Sequence, residues 1–253
     1  MLDTRLVSVI FLAAFASLLA GAAPGLAPRD AGELTAAVGC WGVPHPPGFP
    51  LYVLLGRAWA DVMPFGSIAY RLNILSAACL AGALALMTCW LSRVATTGIA
   101  LLVTAAFLVS PLAISQGTRA EIFAPLALWA MGLLTVLSSG HPRRGAIGIL
   151  LGGLGLALHP TAVLAIPGFL VLGWPMMRRA GLKAGPYALL GASVALVLPL
   201  RAAIHPPLEW GAASSVSGFI AHLLRTDYGI FQLMRDSTAG GAGGSGEPPL
   251  QLL

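Results

Sequence analysis

The chain has 253 residues, of which 57% are hydrophobic and 9% charged, with a net charge of +5. A soluble domain carries roughly 25% charged residues, and the mean hydropathy here is +0.86. So little charge cannot cover a water-exposed globule of this size. An ordinary soluble enzyme, a coiled coil and a disordered chain are excluded, which leaves an all-α, polytopic membrane protein. The basic residues form no stripe along one face, so nucleic acid is not an expected partner. Cys40, Cys79 and Cys89 are too few for a disulfide framework.

A bilayer core of about 30 Å takes about 20 apolar residues per helix. Residues 6–25 supply the first such run. Its small residues Ala20-Gly21-Ala22-Ala23 would suit a cleaved leader, but its length favours a retained helix. Residues 26–69 form a first outer loop of different character, with Asp30, Glu33, His45 and six prolines. Within it, residues 50–64 are apolar but short and charged, the pattern of an interfacial or re-entrant helix. Further spans are predicted over 70–91, 96–115 and 121–137. Residues 145–174 are too long for one helix and carry His159-Pro160 at their centre. Proline disfavours a helical predecessor, so two short spans should meet there. Residues 186–204 make about the seventh span. An amphipathic segment over 205–235 and a Gly/Pro-rich tail over 236–253 complete a membrane domain covering 1–204.

With the N-terminus cytoplasmic, Arg5, Arg93, Arg143, Arg144, Arg178, Arg179 and Lys183 fall in short inner loops. The positive-inside rule acts most strongly there. The expected location is the inner (plasma) membrane, multi-pass. The outer side then gathers Asp30, Glu33, His45, Arg119, Glu121, His159 and Arg201. Ionisable groups collected at one membrane interface point to a site. Two readings of Asp30 and Glu33 stand together. They are spaced as an N-cap and its third-position partner, or one supplies a carboxylate for proton transfer or metal binding. Arg71 can likewise be an interfacial anchor, and Arg119 and Glu121 can pair with each other. No His-x-x-His or Glu-x-x-His spacing occurs, and no divalent metal is expected.

Three stretches in order, Asp30-Ala-Gly-Glu33, His45-Pro-Pro-Gly-Phe-Pro-Leu51 and Pro64-Phe-Gly-Ser-Ile-Ala-Tyr-Arg71-Leu-Asn73, are distinctive. They resemble the N-terminal region of the transmembrane protein 260 type of protein O-mannosyltransferase and its bacterial relatives. The resemblance continues through Arg119-Ala-Glu121-Ile-Phe123, Leu156-Ala-Leu-His159-Pro-Thr161, Arg201-Ala-Ala203, Glu209-Trp210-Gly211 and His222-Leu-Leu-Arg225-Thr-Asp-Tyr228-Gly229. It spans nearly all of residues 20–235. The chain departs from the family pattern at Ala31 (serine there), at Leu158 (asparagine) and at Ala212-Ala213 (Asp-Pro).

The resemblance implies a GT-C glycosyltransferase that takes a sugar from a polyprenyl-phosphate carrier and passes it, with inversion, to a protein or glycan hydroxyl outside the cytoplasm. Asp30 would be the general base. Arg71, Arg119 or Arg201 would hold the carrier phosphate. His159 would touch the donor, and Glu33, His45 and Glu121 would complete the substrate-binding set. Competing expectations are a non-catalytic membrane module that binds a lipid-linked sugar or assists a partner enzyme and, last, a small transporter with midplane charges and repeat symmetry.

Overall fold

The computed structural model describes residues 4–226. Its regular elements are helical, and an isolated parallel bridge between Val43 and Glu209 is the sole strand-like pairing among them. Helix α1 (Thr4–Ala20) ends earlier than the first apolar run, because Gly21, Pro24, Gly25 and Pro28 break the ladder. Two shorter helices occupy the first loop, α2 (Ala31–Cys40) and α3 (Pro50–Val62). Helix α4 (Ile68–Leu91) follows, capped by Ser67, whose side chain accepts from the Tyr70 amide.

The run over 96–115 is not one straight span. It splits into α5 (Thr97–Leu108) and α6 (Pro111–Gly117), bent by 69°. The cause is local. Ser110 caps α6 by accepting from the Ala113 amide, and Pro111 can only begin a helix. Helices α7 (Phe123–Leu137) and α8 (Arg144–Leu158) come next. The chain breaks at His159, which is extended, and continues through a 3-10 turn (Pro160–Ala165) into α9 (Ile166–Ala180). Helices α10 (Gly185–Ser193), α11 (Val197–Ala202) and α12 (Val216–Leu224) close the described chain.

By length and composition, Ile68–Leu91 and Gly185–Ala202 can each cross a membrane, and the bent α5–α6 pair makes a third. Shorter apolar helices accompany them: Thr4–Ala20, Phe123–Leu137, Arg144–Leu158 and Pro160–Met176. Large apolar side chains face outward, among them Leu102, Val171, Leu189 and Leu200, each more than two-thirds exposed. Between the helices the packing is close. Helix α8 meets α10 backbone to backbone at Gly153 and Gly191, where a Cβ on Gly153 would stand 2.8 Å from the Gly191 carbonyl carbon. Helices α4 and α5 are joined by buried Thr88 and Thr104, hydroxyl to hydroxyl at 2.7 Å.

Three apolar cores result. One joins α1, α4, α6 and α7 through Leu18, Leu80, Leu84 and Ala124. A second lies under the first loop and holds Leu34, Val38, Phe49, Tyr52, Leu72, Ile122 and Leu158. A third holds Val43, Leu198, Ala202 and Ala213, with Phe219 and Leu223 of α12 packed on it. The opposite edge of α12 (Val216, Ile220 and Leu224) is exposed. Fully burying one such Leu or Phe side chain is worth about 1.5–3 kcal/mol, so the loop core fixes the polar residues it carries.

Candidate active site

The first loop is anchored by Asn73, a buried residue one turn inside α4. Its amide donates to the carbonyls of Ala23 and Gly25 at 2.7 and 3.0 Å. Its oxygen accepts from the Ala120 amide at 2.7 Å. One side chain thus ties the segment before Asp30 to the segment carrying Arg119 and Glu121. Ser76, one turn further on, accepts from the Glu121 amide. The sequence motif contained Asn73, but nothing local marked it as the tie between loops whose tied residues, Gly25 and Ala120, are 95 positions apart.

Asp30 stands at the start of α2, and its side chain makes no cap hydrogen bond. The capping box allowed by the spacing does not form, and the carboxylate is exposed. Glu33 turns the other way. It accepts from the His45 backbone amide at 2.6 Å and from His45 Nδ1 at 2.8 Å. Burial pushes the Glu33 carboxyl upward, but the His45 hydrogen bonds outweigh it and hold the group below the usual carboxylate range. Glu121 is buried, 6% exposed. Burial first, then the charge of Asp30, raise its carboxyl against the pull of Arg119 and Arg29. Asp30 and Glu121, ninety-one positions apart, are therefore within electrostatic reach. Arg119 acts on Glu121 through its field and makes no ion pair with it.

An aromatic ladder connects the two carboxylate regions. The His45 ring stands edge-on to Phe49 at 5.1 Å, Phe49 stacks on His159 at 5.6 Å and 8°, and Phe123 tilts against His159 at 5.3 Å. His159 Nδ1 accepts from the Thr161 amide at 3.1 Å and lies 2.7 Å from the Thr161 hydroxyl. With Nδ1 accepting, the neutral ring carries its proton on Nε2. Burial, then the charges of Arg225 and His45, push the His159 imidazole down to about 4, so it is neutral at physiological pH. Tyr52 lies in the same core with its hydroxyl buried and, among the described residues, without a hydrogen-bond partner. Burial, then Glu121, raise this phenol.

Several of these positions hold strained backbone. Arg29, Trp41 and Phe49 have φ of 70°, 55° and 44°, all in the first loop. Non-glycine residues there cost roughly 1–2 kcal/mol each, which the surrounding packing offsets. Gly48 has φ +83°, and a Cβ on it would stand 2.5 Å from Leu198 Cδ2 and 2.8 Å from His222 Nε2. Only glycine fits. His222, buried on α12, thereby seats against the His45 loop and adds its field to Glu33. His222 and Arg225 belong to the sequence motifs, but their approach to Glu33 and His159 comes from the fold alone.

Two predicted residues lie apart from this cluster. Arg71 donates from Nε to the carbonyls of Phe65 and Gly66 and from Nη1 to that of Ala60. It stitches the end of α3 to α4, and its guanidinium is occupied by backbone. Arg201 donates from Nε to the Trp41 carbonyl at 2.8 Å and lies over the Trp41 ring at 5.4 Å, which Arg57 approaches at 5.8 Å. Among the described residues, no group of three or more His, Cys, Asp and Glu is placed to hold a metal ion. The predicted Asp227 and Tyr228, and the 236–253 tail, lie outside the described residues.

The family model for the protein O-mannosyl-transferase TMEM260 N-terminal domain matches residues 30–179, more than half of the chain and most of this site. The chain belongs to the TMEM260 N-terminal family. It is 31% identical over 229 residues to the mouse protein named protein O-mannosyl-transferase TMEM260, an alignment covering 81% of this chain and 32% of that protein. It is 26% identical over 253 residues to the protein of the same name from Dictyostelium discoideum, covering 87% of this chain and 30% of that one. The chain thus spans about a third of the length of these TMEM260 relatives. No solved structure matches it.

Proposed function

We propose that this chain is the membrane portion of a glycosyltransferase that moves a mannosyl group from a polyprenyl-phosphate carrier to a protein hydroxyl on the extracytoplasmic face. The names of the relatives support the transferase class and the protein acceptor. In this reading the seven apolar helical segments are spans of a GT-C-like, multi-pass protein with a cytoplasmic N-terminus. Outward apolar side chains and sparse charge support it.

The reaction needs a base on the acceptor and a holder for the leaving phosphate. Asp30 takes the acceptor proton as that oxygen attacks the anomeric carbon. The bond from that carbon to the carrier phosphate breaks, its electron pair leaves with the phosphate, and the configuration inverts. The observation that carries this assignment is the contrast between Asp30 and Glu121, which Asp30 reaches through its field. One carboxylate is exposed and uncapped, and the other is buried with its carboxyl raised. In this reading Asp30 is the group open to the acceptor hydroxyl, and the buried Glu121, whose carboxyl is raised, bonds a substrate hydroxyl. Arg201 and Arg119 face the phosphate, while Arg71 keeps its loop in place. His159 offers an Nε2 proton to the sugar. Glu33 and His45 hold the loop that carries Phe49.

Asp30→Asn tests the reading in membranes supplied with labelled polyprenyl-phosphate mannose. Transfer should fall by about 10²–10⁴-fold, the range for loss of a general base, with unchanged insertion and thermal stability. Unchanged transfer would remove Asp30 as base. Binding of the labelled donor with no transfer by the unaltered protein would instead favour a lipid-linked-sugar binding module.

A further inference from the structure

A cavity lies at the end of α8 away from His159. Helix α8 runs from Arg144 to Leu158, so its start is roughly 22 Å from His159 at 1.5 Å per residue. At that start is a cavity of about 470 Å³, enclosed by the 140–146 turn, the end of α9 and the start of α10. Arg143, Arg144, Arg179, His141 and Tyr187 line it, and no carboxylate does. Among the described residues none of the three arginines makes an ion pair. Arg144 donates one Nη1 proton to the Ser139 carbonyl and is half-buried; Arg143 and Arg179 are exposed. Arg178, adjacent on α9, is equally exposed but does not line the cavity.

Three arginines lining one hollow with no carboxylate among them concentrate positive charge there, which an anion would compensate. Helix anchors in loops of this kind need only reach water or headgroups. A shared cavity lined by three arginines, His141 and Tyr187 at the start of α8 is a different arrangement. Guanidinium forks match tetrahedral oxyanions bidentately. On the same helices α9 and α10, Trp174 and Leu189 are more than half exposed.

We infer that the cavity lined by Arg143, Arg144 and Arg179 binds a phosphate group, distinct from any phosphate at the Asp30 end. The group is the headgroup of an anionic lipid or a soluble phosphate. This does not depend on the transferase reading. The test uses the full chain in detergent and follows thermal unfolding on adding phosphatidylglycerol, phosphatidylcholine or inorganic phosphate.

Phosphatidylglycerol, but not phosphatidylcholine, should stabilise the protein if the source is lipid; inorganic phosphate alone should do so if the source is soluble. In either case Arg143→Gln and Arg179→Gln should each weaken the response about tenfold, and Arg178→Gln should leave it intact. Both single variants alter exposed side chains, and a folded, monodisperse preparation confirms that each can be compared. A response to neither phosphate source overturns the proposal. So does an equal loss in Arg178→Gln, because that would mark diffuse surface charge.

Discussion

Glu33 accepts two hydrogen bonds from one residue, His45, twelve positions away: the backbone amide at 2.6 Å and the ring Nδ1 at 2.8 Å. The pair locks helix α2 to the proline-rich turn that sets Phe49 against His159. Glu33→Gln replaces one acceptor oxygen with a donor facing Nδ1–H. A charge-assisted bond of this kind contributes about 1.5–3 kcal/mol, so the variant should melt several degrees lower. The sign of the pH dependence follows from the lowered Glu33 carboxyl. Its stabilisation is complete above the ordinary value of 4.5 and is lost as pH falls below it. Melting curves should show a steeper acid loss for the unaltered protein than for Glu33→Gln.

His159 predicts a second acid-sensitive window. Its folded value of about 4 lies below the ordinary 6.5. The unfolded chain gains a proton first, so stability present above pH 6.5 declines progressively down to about pH 4. His159→Phe keeps a ring to stack on Phe49 and removes the titration. Its melting temperature should therefore vary less with pH between those limits, and an identical pH profile would show that His159 is solvated in the folded state.

Asn73→Ala removes three hydrogen bonds at once, leaving the buried Ala120 amide and two part-buried carbonyls without their Asn73 partner. Each such group costs about 1–3 kcal/mol. The variant should be among the least stable single substitutions in the molecule, as measured by chemical or thermal unfolding in detergent. Because Asn73 joins the Asp30 segment to the Glu121 segment, hydrogen exchange should also rise in residues 23–25 and 118–121.

Gly48→Ala meets two obstacles together, a left-handed φ and the side chains of Leu198 and His222. A cost of at least about 2 kcal/mol is expected. Leu198→Ala in the same molecule should recover part of it by making room. No recovery would assign the whole effect to backbone strain.

Much of this architecture is written in local sequence. Apolar run lengths and sparse charge specify all-helical structure with membrane-length helices. Pro160 predicts the break at His159, and the structure places it there. The 69° bend at Ser110-Pro111 is just as local, a cap followed by a helix-starting proline, but the apolar run hid it. Hydropathy averages over a window and does not register a residue that stops one helix and starts another.

Partner choice is different. Asp30 and Glu33 carry capping-box spacing, yet neither side chain caps α2. Glu33 goes to His45, because a buried turn offers it two donors, a better arrangement than the helix end in contact with water. Arg71 and Arg201 look alike in sequence, but one is occupied by three carbonyls and the other lies on Trp41. The sequence alone determined helices, breaks and the set of polar residues, since these depend on propensity and on transfer into an apolar medium. The reach of the Asp30 field to Glu121, the stacking of Phe49 on His159, and the approach of Arg179 to Arg143 and Arg144 were decided only by tertiary structure. Such meetings depend on which helix ends the packing brings together, and no local spacing encodes that.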